Sequence, residues 1–241
     1  MGEQLKPGDA PNVDWFKPYP KGVENTDRFY VSIEMIKKQI GLSRNDAAPG
    51  PDTIPMEAFS VASDILAEPI SVLFNFILQT GDVPELFKIS RVKMLFKKGE
   101  KSDMLNYRPL AMSSHLGKLW ERVVNCHLMD YLEKYKKLSD RQYGFRRGRS
   151  TTENIIRLHE HVADRLEAEK CTIEIWNFDL RKAFDKLDHA KVLQLLRNCG
   201  VNGFLGLSIE NWLTNRRQYV EVGNSKSGET LVGRSCVQGS V

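Results

Sequence analysis

The sequence predicts an α+β fold in which helices outnumber strands. Apolar residues recur at helical spacing over most of the chain, whereas the alternation typical of strands occurs only in short, scattered stretches. Strands that are scattered among many helices are typical of the α+β class. With 241 residues the chain can bury a substantial core, as one large domain or two small ones.

The first half of the chain begins irregularly and then becomes helical. Four prolines and several glycines in residues 1–28 predict an irregular leader. A short helix is predicted over 32–40, where three isoleucines share one side, and a loop over 46–52, where prolines and a glycine prevent helix formation. Helical spacing resumes over 56–79, and Pro69 predicts an interruption that divides this stretch into two helices.

The second half combines strands with further helices. Apolar residues alternate with basic ones over 91–97, which predicts a strand with one basic face. The patterns that follow predict a long amphipathic helix over 116–136, a helix over 152–169, a strand over 172–178, helices over 189–199 and 203–214, and strands over 218–222 and 230–237.

Composition excludes several classes of protein. The net charge of +4 and the pI near 8.8 are only mildly basic, so a nucleic-acid site has to show itself through local clustering of charge. The four cysteines lie far apart, which argues against a zinc site and is typical of reduced, intracellular thiols. The sequence shows neither a signal peptide nor a bilayer-spanning stretch, so we expect a soluble intracellular protein, nuclear or cytoplasmic.

An apolar run that leads into Asp179 is the most distinctive stretch of the chain. Residues 172–178 are rich in β-branched and aromatic side chains, and a cationic, aromatic turn follows the carboxylate. A strand that delivers one acid into such a turn suits a phosphate-handling metal site. The alternative is that Asp179 only caps the following turn.

A first basic cluster follows the predicted strand over 91–97. A strand, a glycine-containing turn and a second strand that ends in an arginine would place lysine and guanidinium side by side over a phosphate chain. The alternative is a solvated hairpin without a ligand. The cluster consists of Lys93, Lys97, Lys98, Lys101 and Arg108.

A second basic cluster spans residues 142–152. Its cations are interleaved with Tyr143, Phe145 and two glycines, a composition that can hold a sugar-phosphate backbone and stack a base. Thr151 or Thr152 can also cap the helix that follows, and both roles can coexist.

In chain order these segments resemble the reverse transcriptase domain of non-LTR (LINE-type) retrotransposons, from about residue 47 to 241. The resemblance implies a right-hand polymerase: the leader 1–28, fingers over 29–170 and the first part of the palm over 171–241. The motifs that carry it are Ala48-Pro49-Gly50-Pro51-Asp52, Lys97-Lys98-Gly99, Asn106-Tyr107-Arg108-Pro109, Gln142-Tyr143-Gly144-Phe145-Arg146, the segment 179–185 and Gln238-Gly239-Ser240.

The resemblance also implies roles for individual residues. Asp179 would be the first palm carboxylate on two magnesium ions, with the Leu180 carbonyl as a further ligand, and Phe184 falls at the position that excludes the 2′-hydroxyl. The incoming deoxynucleoside triphosphate would contact Lys97, Lys98, Arg108, Phe184, Gln238 and Gly239. The RNA template would contact Gln142, Phe145, Arg146, Arg147 and Arg149.

Other titratable residues are expected to be structural. Asp188 lies at a predicted helix start, where acids are common without catalysis. Four histidines, His115, His127, His159 and His161, lie on predicted helices without metal-ligand spacing.

The chain departs from the family in one large respect. It ends at Val241, before the family's aromatic-x-Asp-Asp hairpin and thumb, and it contains no Asp-Asp pair. Two divalent ions about 4 Å apart need several anionic ligands, which Asp179 alone does not supply. We therefore expect a truncated copy or a partial gene product that is inactive by itself. Smaller departures lie at Asn177, Arg181 and Val237.

The resemblance implies a fragment of an RNA-directed DNA polymerase. Such an enzyme uses Mg²⁺ to add deoxynucleotides to the 3′-hydroxyl of a DNA primer on an RNA template. Two alternatives stay open: a non-catalytic module that binds RNA, and an inert relic of a retroelement.

Overall fold

The computed structural model describes residues 29–170, 172–180 and 186–233. The predicted leader over 1–28 lies outside these ranges, as do Phe184, Gln238 and Gly239.

Seven α-helices and five strands lie within the described residues, which confirms a helix-rich fold with a mixed sheet. The helices are α1 (Ile33–Gly41), α2 (Met56–Val61), α3 (Ser63–Thr80), α4 (His115–Lys134), α5 (Thr151–Glu169), α6 (His189–Asn198) and α7 (Gly203–Leu213). The strands are β1 (Ile89–Phe96), β2 (Tyr107–Ser113), β3 (Arg217–Val222), β4 (Ser225–Lys226) and β5 (Thr230–Leu231). In the described part of the chain, no helix is long and apolar enough to cross a bilayer.

The sheet is built around β1. This strand pairs antiparallel with β2 and parallel with β3, while β4 and β5 both pair with the far side of β3. The register sets Leu95 opposite Arg108 and Lys93 opposite Glu221. Because directly paired residues point to the same face, these four side chains share one side of the sheet.

The core lies among α1, α2, α3, α4 and α7. Its centre is a group of rings in which Phe74 meets Trp120 at 5.3 Å and Phe87 at 6.5 Å between centroids, both edge to face. All three rings are fully buried. Rings of this size contribute much of the apolar area that stabilises a core, and the edge-to-face arrangement adds a favourable electrostatic term. Phe74 and Trp120 lie in segments that the helical spacing of the sequence predicted as helices, whereas Phe87 lies outside every predicted element.

The break between α2 and α3 lies at Ala62, so the predicted break at Pro69 is wrong although two helices form. Pro69 is an exposed residue inside α3. A proline within a helix frees the carbonyl of the residue four positions earlier, which here is Ile65. Ile65 is itself exposed, so solvent can hydrate that carbonyl. The helix therefore continues through the proline.

The predicted strand over 172–178 is wrong. Residues 172–180 have no regular structure, and the side chains of Ile175, Trp176 and Phe178 are 54%, 73% and 89% exposed. A strand forms only when a neighbour pairs with it, and no described strand lies beside this segment. An apolar, β-branched run carries no information about such a partner. Of the last predicted strand, over 230–237, Thr230–Leu231 form β5, residues 232–233 have no regular structure, and residues 234–237 lie outside the described residues.

Two helix starts show how local side chains fix the elements. Asp188 accepts a hydrogen bond from the Ala190 N–H at 3.0 Å and caps α6, in keeping with its expected structural role. At the start of α5, the expected cap at Thr151 or Thr152 is wrong, because Ser150 accepts from the Glu153 N–H at 3.0 Å. Ser150 has the extended backbone that a cap requires, whereas both threonines are already helical.

Candidate nucleic-acid interface

The hairpin formed by β1 and β2 has a tip that its own hydrogen bonds hold in place. The Lys97 N–H donates to the Asn106 carbonyl at 2.8 Å, which extends the pairing one step beyond β1. Across the turn, the Asn106 side-chain amide donates to the Glu100 carbonyl at 3.0 Å and the Tyr107 hydroxyl donates to the Lys101 carbonyl at 2.9 Å. The tip is therefore preorganised.

One face of this hairpin gathers the predicted phosphate-binding cations. Arg108 is the second residue of β2, so the prediction that it ends the second strand is wrong. It still lies opposite Leu95, and the alternation of β1 places Lys93 on the same face. The pairing of Lys97 with Asn106 continues that face into the tip. The register thus places Lys93, Lys97 and Arg108 on the same face of the hairpin.

Among the residues that the structure describes, the cations of the hairpin form no ion pair. Lys93, Lys97, Lys98 and Arg108 are all exposed. Within the described parts of the chain, none of these four forms an ion pair. Their charge is therefore available to an anionic ligand without the prior release of a carboxylate.

In the loop over 138–150, between α4 and α5, Arg146 is paired with an acid, unlike the cations of the hairpin. Its Nε and Nη2 donate to the two carboxylate oxygens of Glu133 at 2.8 and 2.6 Å, and its Nη1 donates to the Ser139 carbonyl at 2.6 Å. The Arg146 side chain is only 6% exposed. The guanidinium holds the pKa of Glu133 below its ordinary value, chiefly through these hydrogen bonds.

Arg147 and Arg149 are paired as well, though less tightly. The Arg147 Nη1 lies 3.0 Å from an oxygen of Asp130 at the surface. Arg149 lies 3.5 Å from Glu153 and 3.8 Å from Asp140. Arg146, Arg147 and Arg149 therefore all face acids that α4, α5 and the loop itself supply.

The same loop displays an aromatic ring. Phe145 is 90% exposed and has a φ of 61°, in the left-handed region that bulky residues rarely adopt. The neighbouring Tyr143 ring instead packs under Arg149, at 5.4 Å from its guanidinium carbon. Gln142 is exposed, and its side-chain amide donates to the Gly144 carbonyl at 3.3 Å. The loop thus presents Phe145 to solvent and keeps Tyr143 for packing.

The proline-rich loop over 46–52 packs against the end of β2. A Cβ added to Gly50 would lie 2.5 Å from the Ser114 nitrogen, so the two backbones touch. Arg91 donates from Nη2 to the Pro49 carbonyl at 2.6 Å and pairs with Glu221 at 3.2 Å. Arg91 therefore joins this loop to β1 and β3. The sequence placed it on the basic face of β1, but nothing in that alternation identified its partners.

Asp179 and Leu180 lie in the segment without regular structure, and both are exposed. Among the described residues, no group of three or more histidine, cysteine, aspartate or glutamate side chains could hold a metal ion. The described residues therefore bring the hairpin cations together, and likewise the residues of the 138–150 loop, but they supply no set of metal ligands around Asp179.

Comparison with known proteins assigns the chain to a family. The model of the family described as reverse transcriptase (RNA-dependent DNA polymerase) matches residues 97–241, more than half of the chain. The chain belongs to the reverse transcriptase family. Its predicted resemblance to the enzymes of non-LTR retrotransposons is thereby confirmed. The matched region holds the hairpin tip, the 138–150 loop and Asp179.

Relatives come from several insects. The chain is 30% identical to the probable RNA-directed DNA polymerase from transposon BS of Drosophila melanogaster, over 71% of this chain and 19% of that protein. It is 26% identical to the RNA-directed DNA polymerase from mobile element jockey of the same species, over 88% of this chain and 23% of that protein. A Pol polyprotein from a type-1 retrotransposable element R2 of Popillia japonica is 26% identical, over 80% of this chain and 26% of that protein. The chain thus spans about a fifth to a quarter of the length of these relatives.

Proposed function

We propose that this chain supplies the nucleotide- and template-binding part of an RNA-directed DNA polymerase, which extends a DNA primer on an RNA template. In this proposal residues 29–170 form the fingers and 171–241 the first part of the palm. The cationic face of the β1–β2 hairpin, whose cations form no ion pair among the described residues, carries the proposal, because a member of the reverse transcriptase family must bind both a triphosphate and a polyanionic template.

The hairpin is the proposed triphosphate site. Arg108 offers a planar fork that suits two phosphate oxygens, and Lys97 and Lys98 offer compact point charges beside it. A paired cation must first give up its carboxylate before it binds phosphate, whereas these three face solvent unpaired within the described chain. The resemblance adds Phe184, Gln238 and Gly239 to this site.

The 138–150 loop is the proposed template side. The exposed ring of Phe145 can stack against an unpaired base, since every base has an apolar face. Arg147 is 63% exposed, and its ion pair with Asp130 lies at the surface, where such pairs contribute little stability. It can therefore exchange that acid for a phosphate. Gln142 and Arg149 complete the proposed contacts.

Magnesium would stabilise the charge that develops on the transferred phosphate, and the resemblance assigns it to Asp179 and Leu180. The described residues do not fit a pair of such ions, because Asp179 is a single exposed carboxylate without other acids gathered around it in the described ranges. The metal site would need further carboxylates. We assign the present residues to binding and orientation of the substrates.

Photocrosslinking tests the triphosphate site. A deoxynucleoside triphosphate with a photoreactive group on its γ-phosphate is irradiated with the chain in the presence of an RNA–DNA primer–template, and the adducts are mapped by mass spectrometry. We expect adducts on peptides from the β1–β2 hairpin, lost in the Lys97→Ala/Arg108→Ala variant. Adducts that map only outside the hairpin, or that persist in the variant, contradict the proposal.

A non-catalytic RNA-binding module is the second candidate. The lack of clustered metal ligands among the described residues favours it. Primer extension on an RNA template with Mg²⁺ separates the two candidates when it is combined with the photocrosslinking. Product that is lost in Asp179→Asn, and kept in the matched control Asp164→Asn on exposed α5, identifies a polymerase that is active by itself. Adducts on the hairpin without product identify the substrate-binding part of a polymerase, and RNA binding with neither product nor adducts identifies the module.

A further inference from the structure

We infer that Arg146 is a positioning residue, whose ion pair with Glu133 holds the 138–150 loop so that Phe145 forms a stacking platform for an unpaired base. This inference rests on the proposed function, because it concerns the template side of the same chain. It assigns to Glu133, which belongs to none of the sequence motifs, a part in template recognition.

The guanidinium of Arg146 is already occupied on three sides. Nε and Nη2 form a two-pronged bond to the carboxylate of Glu133, and Nη1 reaches the Ser139 carbonyl at 2.6 Å and the Gln142 carbonyl at 3.5 Å. Bidentate pairs of this kind are among the stronger hydrogen bonds in proteins. A phosphate could reach this side chain, 6% exposed, only after several bonds had broken.

The hydrogen bonds of the Arg146 side chain connect the 138–150 loop to the end of α4. Glu133 lies in the last turn of α4, and the two carbonyls belong to the stretch that leaves this helix. One side chain thus fixes the loop against the helix from which it emerges. Its neighbour in sequence is Phe145.

Phe145 has a backbone conformation that requires such support. Left-handed φ and ψ angles cost a residue with a Cβ about 1–2 kcal/mol, and an aromatic ring brings no local compensation. Residues remain in this region only where surrounding contacts over-determine the backbone. With φ at 61°, Phe145 directs its ring into solvent instead of packing it. The bonds of Arg146 are the contacts next to it that hold this geometry.

The chemistry of the surface indicates the ligand. An exposed aromatic ring beside an exposed arginine suits single-stranded nucleic acid, which offers bases for stacking and phosphates for charge. Arg147 supplies that arginine, with its weak surface pair to Asp130. Two adjacent arginines therefore divide the work: Arg146 acts inside the protein, and Arg147 faces the ligand.

Replacement of Glu133 distinguishes the two possible roles of Arg146, because they predict opposite effects. If Arg146 contacted phosphate, Glu133→Gln would release its charge and tighten RNA binding. If Arg146 positions the loop, the same substitution weakens binding. Arg146→Lys adds a second criterion. A lysine can still contact a phosphate, so RNA binding would be kept if Arg146 contacted phosphate. A lysine cannot form the two-pronged bond to the Glu133 carboxylate, so RNA binding weakens if Arg146 positions the loop.

The experiment titrates the chain into a single-stranded RNA that contains 2-aminopurine, and records fluorescence quenching and affinity over a range of salt concentrations. We expect Glu133→Gln, Arg146→Lys and Phe145→Ala to lose the quenching and to weaken binding about 5- to 100-fold, the usual range for one stacked base. Their salt slope should equal that of the wild type. The control Arg147→Gln should keep the quenching and lower the salt slope by about one.

Tighter binding by Glu133→Gln, or full quenching by Arg146→Lys, overturns the positioning role while leaving the proposed function intact. A wild-type chain that shows no salt-dependent RNA binding overturns both. Circular dichroism and thermal unfolding of each variant verify that the fold is retained. Phe145→Ala keeps the test valid if a Glu133 variant does not fold, because its side chain is exposed and unpacked.

Discussion

Gly50 lies where a loop and the end of a strand come into direct contact. Any Cβ there would lie 2.5 Å from the Ser114 nitrogen and 2.6 Å from the Ser113 carbonyl group, both backbone atoms that cannot move aside cheaply. We therefore expect Gly50→Ala to lower the free energy of unfolding by about 1–3 kcal/mol, the usual cost of overpacking. Urea unfolding measures it.

Gly41→Ala is the matched control, because nothing lies within 4 Å of a Cβ at that position. Its effect should stay within about 0.5 kcal/mol or be slightly stabilising, since alanine is the better helix former at the end of α1. Equal stability of the Gly50 and Gly41 variants would contradict the close contact.

Two histidines on α4 should make stability depend on pH. Burial lowers the pKa of His115 and of His127 from the ordinary value of 6.5, and His127 also packs against Phe29 at 5.0 Å between centroids. Below pH 6.5 the unfolded chain therefore binds more protons than the folded chain. Stability should be constant above this pH and fall as the pH drops from 6.5 towards 5.

Thermal unfolding between pH 8 and 5 tests this dependence. The His115→Gln/His127→Gln variant should lose most of the decline, because glutamine does not titrate. The Glu133–Arg146 pair does not interfere, since the pKa of Glu133 is lowered from 4.5 and this carboxylate stays ionised over the whole range. A decline of the same size in the variant would show that other groups control the pH dependence. The sequence alone gave these histidines no role, because burial is a tertiary property.

At the scale of the elements, the β1–β2 hairpin depends on its glycine turn. Gly99 has a φ of 91°, and a Cβ there would lie 2.6 Å from the side-chain nitrogen of Asn106. Gly99→Ala should therefore destabilise the tip by about 1–2 kcal/mol, the cost of a left-handed residue with a Cβ. Amide exchange at Lys97, whose N–H pairs with Asn106, should accelerate about 5- to 30-fold.

Gly228→Ala is the control for this turn, since a Cβ there meets nothing within 4 Å. It should leave exchange at Lys97 unchanged. If amide exchange at Lys97 were also unchanged in Gly99→Ala, the glycine turn would not be what holds the tip.

The helices were predictable because their signal is local. Apolar spacing correctly placed α1, α4 and α5 to within a few residues, since each helix satisfies its own backbone hydrogen bonds. The prediction of a strand over 172–178 was wrong because the pairing of a strand depends on residues that are distant in sequence. The prediction of a helix break at Pro69 was wrong because the effect of a proline depends on whether the carbonyl that it frees is exposed to solvent.

At the scale of the whole molecule, the two basic clusters differ in a way that the sequence did not predict. Both are runs of cations with aromatic neighbours, and both lie in a chain with a net charge of +4. The fold brings Glu133 and Asp130 from α4 onto the arginine loop, whereas the hairpin cations form no ion pair in the described chain. Glu133 lies 13 residues before Arg146, and Asp130 lies 17 residues before Arg147. Neither spacing is one from which the sequence would predict an ion pair.

From this difference we propose that the β1–β2 hairpin is the main phosphate-binding surface of this reverse transcriptase family member. Each exposed cation that contacts a phosphate contributes about one to the slope of log affinity against log salt. A matched pair of variants isolates this contribution. Lys97→Ala/Arg108→Ala removes two charges from the hairpin, and Lys38→Ala/Lys191→Ala removes two exposed charges from α1 and α6.

The most direct test is the salt dependence of affinity for a deoxynucleoside triphosphate in the presence of an RNA–DNA primer–template, measured for the wild type and for both variants. We expect the slope to fall by about two in the hairpin variant and to stay within experimental error in the α1–α6 variant. A hairpin variant with the slope of the wild type, or an equal fall in both variants, would contradict this proposal.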